Sequence, residues 1–355
     1  MTSGATNKPH GLLLLHLSSL DASLDEAFHC VSKSLTLVHR LTIALSVPVL
    51  GRSGRNGANK DSSIDSDGGS QINNEGNTFH NIQKILSALY VNFTQLAVAM
   101  HRPLTELDIV FYDWCGYDIG VGSDDIVPFD ILLGTSNVVA SLKKINDQRT
   151  QKGHQPLPVV NLQWTPETAQ VDTHIVDAID SAVAHYSVTE GQYRNVALGG
   201  TFDHLHAGHK ILLSMTAWIA SERVVCGVTD DSMLATKKFK EYLESLDTRI
   251  ASVSQFLNTF KRGLRYEVVP ISDIYGPTIT DDNLQALMVS KETMKGGAAV
   301  NQERVNRKLP PLAIEVINVI SPTETEADEI SLKISSTYIR QYLAQQQQQQ
   351  QRPAP

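Results

Sequence analysis

The sequence predicts an α/β fold, with a Rossmann-like doubly wound parallel sheet in the C-terminal half and an additional α/β domain before it. Two observations predict it. Short apolar runs alternate with helical apolar periods along the chain, the pattern of βαβ units. One such run, 194–200 (RNVALGG), ends in a glycine pair and leads into an amphipathic segment. The helix is expected from about Leu205 to Glu222, with Ile211, Leu212, Met215, Trp218 and Ile219 on one face. Residues 223–229 (RVVCGVT) read as the next buried strand. Strand, helix and strand then form a βαβ unit with parallel strands and a right-handed crossover.

The pattern continues. Ile250, Val253, Leu257, Phe260 and Leu264 repeat the helical period, 266–271 reads as a strand, and 286–289 and 314–320 are further strand candidates. Ligands of such a sheet bind at the carboxyl ends of its strands, near the point where strand order reverses. In the first half, 107–114, 129–133 and 159–164 read as strands and 79–100 as a helix. That half carries no recognisable chemistry. Asp108, Asp113, Asp118, Asp124 and Asp125 match no EF-hand spacing and read as solvated strand ends.

Residues 52–77 are rich in Gly, Ser, Asn and Asp with almost nothing to bury, which predicts a disordered loop. The glutamine run and its Arg-Pro-Ala-Pro ending predict a disordered tail over 345–355. The expected organisation is therefore an N-terminal α/β domain, 1–188, a second α/β domain, 189–344, and the tail.

A net charge of -8 argues against broad electrostatic binding to nucleic acid or to anionic membrane. An anionic ligand must then be held by local cations and backbone donors. Cys30, Cys115 and Cys226 are far apart and lack metal spacing, which suits a reducing compartment. The run from Gly11 to Leu15 resembles a signal-peptide core, but His16 interrupts it and no small-residue cleavage site follows. The expected location is cytoplasmic.

The chemistry concentrates in Gly199-Gly200-Thr201-Phe202-Asp203-His204-Leu205-His206-Ala207-Gly208-His209, where the first strand of this half meets its helix. Glycines there let the backbone approach a phosphate, and a helix N-terminus offers unpaired N–H groups and a positive dipole end. His206 and His209 are three apart and share a face of the first turn, with Gly208 leaving room beside them. The dipole disfavours imidazolium here, which suits neutral donors or cations paired to phosphate. A lone histidine in such a place is more often a surface or satisfied core residue. The strand, glycines, paired histidines and amphipathic helix together outweigh that reading. Zinc ligation is disfavoured because HExxH is absent, and the chain contains no GxxxxGK(S/T) phosphate loop.

GGTFDxLHxGH resembles the signature of the HxGH nucleotidyltransferases, and its flanks resemble phosphopantetheine adenylyltransferases of the archaeal and eukaryotic, fungal-like, monofunctional kind. The resemblance runs from about Tyr193 to Leu343. It takes in 227–231 (GVTDD), 237–239 (KKF), Arg249, 275–281 (YGPTITD), 289–293 (VSKET), Asn301, Arg304, 309–312 (LPPL) and 333–340 (KISSTYIR). It implies transfer of AMP from ATP to 4'-phosphopantetheine, giving dephospho-coenzyme A and pyrophosphate in coenzyme A biosynthesis. It implies catalytic roles for His209, His206, Lys237 and Thr201. Gly199, Gly200, Thr201, Phe202, His206, Gly208, His209, Ser335, Ser336, Thr337 and Arg340 would contact ATP. Thr201, Asp203, Lys237 and Lys238 would contact the acceptor, Lys237 matching the substrate-bridging lysine better than its neighbour. The bland reading of Lys237-Lys238-Phe239-Lys240 is a solvated charged turn, and that of Ser335, Ser336 and Thr337 is helix capping.

Lys291 and Arg304 match the family without an assigned role, and Arg262 or Arg265 could stand in for a bacterial phosphate-binding arginine. Magnesium is expected to arrive with ATP, since the catalytic half offers no evident carboxylate cluster and no protein metal site is expected. A separate dephospho-coenzyme A kinase is the expected partner enzyme. Another HxGH nucleotidyltransferase, taking nicotinamide mononucleotide or a phosphocholine-like acceptor, and a non-catalytic scaffold are the competing readings.

Overall fold

The structure is a computed structural model, and it describes residues 9–47, 75–121, 127–165, 188–317 and 335–350. The chain divides into two compact units: one of residues 1–85, 105–172 and 259–261, the other of 86–104, 173–258 and 262–355.

The first unit carries β1 (His10–His16), α1 (Asp25–Leu37), β2 (Arg40–Ser46), β3 (Glu106–Phe111), β4 (Ile131–Gly134), α3 (Val139–Gln151) and β5 (Val159–Asn161). Helix α2 (Glu75–Ala99) lies between β2 and β3 in the chain. The five strands form one parallel sheet in the order β3-β2-β1-β4-β5. The Leu12–Leu15 run is its central strand, with all four side chains at most 2% exposed. A continuous apolar run suits a strand covered on both faces. The strand expected over 107–114 ends at Phe111, because the Trp114 N–H turns back to the Phe111 carbonyl. Asp108 pairs with Arg40 at 3.2 Å, Asp113 accepts from Ser46, and Asp118 lies 3.7 Å from Lys152; Asp124 and Asp125 are outside the described residues.

The second unit carries β6 (Tyr193–Gly200), α4 (Ala207–Ile219), β7 (Ala220–Thr229), α5 (Leu246–Phe260), β8 (Arg265–Ile271), β9 (Ala286–Ser290), α6 (Met294–Asn306), β10 (Ala313–Ile317) and α7 (Ser336–Gln350). Its sheet is also parallel throughout, in the order β10-β9-β6-β7-β8. Counted from the first strand of each unit, both sheets have the order 3-2-1-4-5. Strand order therefore reverses between β6 and β9, and the carboxyl end of β6 is the Gly199-Gly200 pair. Helix α4 buries Ile211, Leu213, Met215, Trp218 and Ile219, each apolar side chain contributing about 1.5–3 kcal/mol.

Two expectations change, and a third lies almost wholly outside the described residues. Helix α4 stops at Ile219, and Ala220 to Glu222 join β7, where Ala220 pairs with Tyr193 across a bulge. The loop expected over 52–77 falls outside the described residues except for 75–77, which open α2. Gln345 to Gln350 continue α7 instead of forming a disordered tail. Glutamine is a fair helix former, and no Gly or Pro interrupts the run before Pro353. Among the described residues, no helix is long and apolar enough to cross a membrane.

Candidate active site

The loop between β6 and α4 is tightly determined. Phe202 and His204 both adopt left-handed backbone, with φ 51° and 45°. This is unusual for side chains larger than glycine and costs on the order of 1–3 kcal/mol at each position. Packing and hydrogen bonds hold them there. The Phe202 ring is fully buried, and a Cβ on Gly200 would lie 3.1 Å from it. Gly200 thus makes room for Phe202 as well as leaving backbone bare. Between them, Asp203 is fully buried and accepts the Glu244 N–H at 2.9 Å, while the His204 N–H donates to Glu244 at 2.7 Å. The His204 ring meets the Tyr242 carbonyl at 2.8 Å through Nε2.

His206 occupies the N-cap position of α4 with extended backbone, and no side chain caps the helix. The first-turn N–H groups, Ala207 to His209, therefore face outward without an intrahelical acceptor. The rings of His206 and His209 stack with centroids 3.8 Å apart and planes 26° from parallel. Phe202 backs the His209 ring at 5.2 Å. Nδ1 of each histidine is enclosed and has no hydrogen-bond partner. Burial holds both rings neutral. It pushes the His206 pKa down to about 3, with His204, Lys210 and Arg340 adding to the effect. His209 is likewise held well below the ordinary imidazole range, first by burial, then by the charges of His206 and Lys237.

Lys237 and Lys238 are exposed on the turn after β7. Lys237 is the one whose charge is felt at His209. Lys238 instead contributes its carbonyl to a partly buried bond from Arg340. The Thr201 hydroxyl accepts from Thr229 at 3.3 Å, and its carbonyl accepts from Arg249 at 3.0 Å. This places Thr201 between the carboxyl ends of β6 and β7.

Two residues expected at the ligands are engaged with one another in the protein. Arg340 is only 2% exposed and forms an ion pair with Asp203 at 2.5 Å. Nε donates to the Lys238 carbonyl and Nη2 to Thr337, so three of the five N–H donors of this guanidinium are directed at protein groups. Asp203 is likewise engaged within the protein, by the Glu244 N–H and by Arg340. The Phe202 ring lies in the interior. In the closing turn, the Ser335 hydroxyl caps α7 by accepting the Tyr338 N–H at 3.2 Å, as its capping reading expects. Ser336 donates to the Asp203 carbonyl at 2.8 Å, and Thr337 accepts from Arg340 at 3.2 Å. Arg265 begins β8 and pairs with Glu267 at 3.1 Å. It is thus six residues, or about 20 Å, from the strand's carboxyl end, and Arg262 precedes it.

Arg249, which the resemblance takes in without a role, is fully buried. It donates to the carbonyls of Glu244, Thr201 and Thr229 and reaches Asp231 at 3.1 Å, tying both strand ends together. The signal was present: Arg249 lies four residues before Val253, on the buried face of α5. Arg304, fully buried, similarly binds the carbonyls of Thr278, Asp281 and Pro310, giving the 275–281 and 309–312 turns a shared anchor. Lys291 is exposed.

Contrary to the expectation of no carboxylate cluster, Asp203, His204 and Glu244 bring three ligand atoms within 4.8 Å of one another and could hold a divalent cation. Forty-one residues separate Asp203 from Glu244, so spacing alone hides the group. Its fit to magnesium is poor, because Arg340, two backbone N–H groups and the Tyr242 carbonyl already engage its polar atoms.

The family described as cytidylyltransferase-like matches residues 197–342. A phosphopantetheine adenylyltransferase of Saccharomyces cerevisiae is 40% identical over 188 residues, covering 51% of this chain and 60% of its own length. An uncharacterized protein of Schizosaccharomyces pombe is 48% identical over 150 residues, covering 42% of this chain and 48% of its own. The chain thus spans only part of the length of these two fungal relatives. A phosphopantetheine adenylyltransferase of Methanopyrus kandleri is 38% identical over 149 residues, 42% of this chain and 90% of the relative.

Proposed function

The chain belongs to the cytidylyltransferase-like family as a phosphopantetheine-adenylyltransferase-like nucleotidyltransferase, and on that premise we propose that it transfers AMP from ATP to 4'-phosphopantetheine in the cytoplasm, as a step of coenzyme A biosynthesis. The observation that carries the reading is the pair of stacked neutral histidines at an uncapped helix start, on the carboxyl end of β6.

An oxygen of the acceptor's phosphate attacks the α-phosphorus of ATP. One P–O bond forms, the bond to the bridging oxygen of the β-phosphate breaks, and pyrophosphate leaves with that electron pair. A phosphate monoester is already nucleophilic, so no general base is required. Catalysis rests on alignment and on charge stabilisation, and alignment alone can lower a barrier by about 7–11 kcal/mol.

The residues divide these tasks. Each histidine has an enclosed, unpartnered Nδ1. A buried orphan N–H is rarer than a buried orphan acceptor, so the proton belongs on Nε2. Nε2–H of His206 and His209 would then donate to ATP phosphate oxygens, His209 at the α-phosphate. The N–H groups of Ala207, Gly208 and His209 add donors at the positive end of α4. Gly199 and Gly200 leave backbone accessible beside them. Thr201 offers its hydroxyl between the substrates, and Lys237 bridges them, with Lys238 secondary. Ser335, Ser336 and Thr337 contribute at the β- and γ-phosphates through backbone N–H groups. Magnesium comes with ATP as part of the substrate complex. Residues 189–344 form the catalytic portion, and the product would pass to a separate kinase.

A pyrophosphate-release assay with 4'-phosphopantetheine, nicotinamide mononucleotide and phosphocholine as alternative acceptors tests the reading. Pyrophosphate with the first alone, and dephospho-coenzyme A by mass spectrometry, is expected. Release with either other acceptor in preference would overturn the substrate assignment.

A further inference from the structure

We propose that Arg340 is a positioning residue: its buried guanidinium ties the histidine loop to the Lys237–Lys238 turn and so sets where the lysine stands relative to His209. Three donors of one side chain carry this. Nη1 pairs with Asp203, in the middle of the histidine loop, at 2.5 Å. Nε donates to the Lys238 carbonyl at 3.0 Å. Nη2 donates to Thr337 on its own helix at 3.2 Å. One planar group thus joins three segments that lie far apart in sequence, in a geometry that a lysine cannot copy.

The surroundings reinforce the link. Ser336, on the same helix, donates to the Asp203 carbonyl at 2.8 Å. Tyr242, just beyond the lysine turn, bonds Gln347 further along the helix through its hydroxyl and His204 through its carbonyl. Phe239, next to Lys238, is held in left-handed backbone with φ 55°, a conformation that persists only where neighbours enforce it. Release of Arg340 toward a phosphate would strand the fully buried Asp203 carboxylate without its partner, which is strongly unfavourable. The closing helix therefore acts on the reaction through the protein. It gives the exposed Lys237 a fixed root, although the lysine side chain itself has none.

This inference rests on the adenylyl-transfer reading for its kinetic consequence and on the free protein for its structural one. The kinetic test compares the full-length chain with Arg340→Gln, Arg340→Lys, Asp203→Asn and the double variant Asp203→Asn/Arg340→Gln. Arg340→Gln should lower kcat by about 10- to 100-fold, the scale of loss for small misplacements, with the KM for ATP moving less than about threefold. Arg340→Lys keeps the charge beside Asp203 and serves as the folded control; its kcat should remain low. The double variant should be scarcely worse than Arg340→Gln, because both changes break one link. A KM for ATP raised more than about tenfold with kcat retained, or losses that multiply in the double variant, would overturn the proposal in favour of direct phosphate contact.

Amide hydrogen exchange without nucleotide is the second arm. Exchange at 236–243 should accelerate at least ~10-fold in Arg340→Lys while the amides of α4 stay protected. Unchanged exchange in that turn overturns the proposal. A wild-type chain that releases no pyrophosphate refutes the adenylyl-transfer reading instead, and the exchange result still decides the role of Arg340.

Discussion

The imidazoles of His206 and His209 stack face to face, 3.8 Å between centroids, at the start of a helix whose dipole and surroundings both oppose their protonation. Two stacked rings three residues apart cannot both be cations without mutual repulsion. In the neutral state each ring carries a single N–H, which the proposed tautomer places on Nε2. His209→Ala should lower kcat by about 10²–10³, the usual loss for one transition-state donor, and circular dichroism should show the fold unchanged. Turnover close to wild type with both substrates would remove His209 from the proposed chemistry.

Neutral burial also has a cost in acid. The His206 pKa is pushed from its ordinary value near 6.5 down to about 3, so between those limits the unfolded chain binds a proton that the folded chain refuses. The contribution of this group to stability is intact above about pH 6.5 and declines as pH falls toward 3. His10 in the first unit, lowered to about 4, acts in the same direction. The melting temperature should be level near neutrality and fall on acidification, and His206→Asn should make that fall shallower. An equally steep acid limb in the variant would show that other groups set it.

How much of this was legible in sequence depends on distance along the chain. Strand β6, its glycine pair and the histidines form one continuous stretch, and local patterning plus motif chemistry find them together. The end of α4 was misjudged because Ala220 to Glu222 suit a helix as well as a strand until Tyr193 pairs with them. Asp203 and Arg340 stand 137 residues apart, and nothing in spacing tells an arginine that meets phosphate from one that meets a carboxylate. Only the fold makes that choice. It also gives the adjacent lysines different surroundings, the charge of Lys237 acting on His209 and the Lys238 carbonyl accepting from Arg340.

The lysine distinction is testable by itself. Both side chains are exposed, so replacement should leave stability nearly unchanged. Lys237→Met should cost at least ~10² in kcat/KM as an electrostatic clamp on transferring phosphate, whereas Lys238→Met should cost only a few-fold. Steady-state kinetics with each substrate varied in turn decides this. The reverse ranking would move the bridging role to Lys238.

Glycine at 276 has a steric and a conformational reason at once. Its φ is +48°, and a Cβ there would lie 2.5 Å from the Ile271 Cγ2 methyl at the carboxyl end of β8. Gly276→Ala should destabilise by about 1–3 kcal/mol through overpacking and left-handed strain, read as a lowered urea midpoint. Adding Ile271→Ala relieves the clash but not the backbone strain, so it should recover only part of the steric share. Full tolerance of Gly276→Ala alone would mean that the turn relaxes freely.

Arg249 sets the last expectation, because it underlies the site without touching it. Its side chain is fully buried, and its guanidinium joins the Thr201 and Thr229 carbonyls, at 3.0 and 2.7 Å, on adjacent strand ends. The carboxylate it meets among the described residues, Asp231, has a side chain 81% exposed, so that ion pair adds little. The bonds to neutral carbonyls matter more, since each buried acceptor left unpaired costs about 1–3 kcal/mol. Arg249→Met fills much of the same volume but satisfies none of them. It should lower stability by about 2–4 kcal/mol on that reckoning, and kcat should fall with it because Thr201 loses its anchor. Asp231→Asn, by contrast, should change the urea midpoint hardly at all. If Asp231→Asn proves as damaging as Arg249→Met, the ion pair, and not the tie between strand ends, is what Arg249 provides.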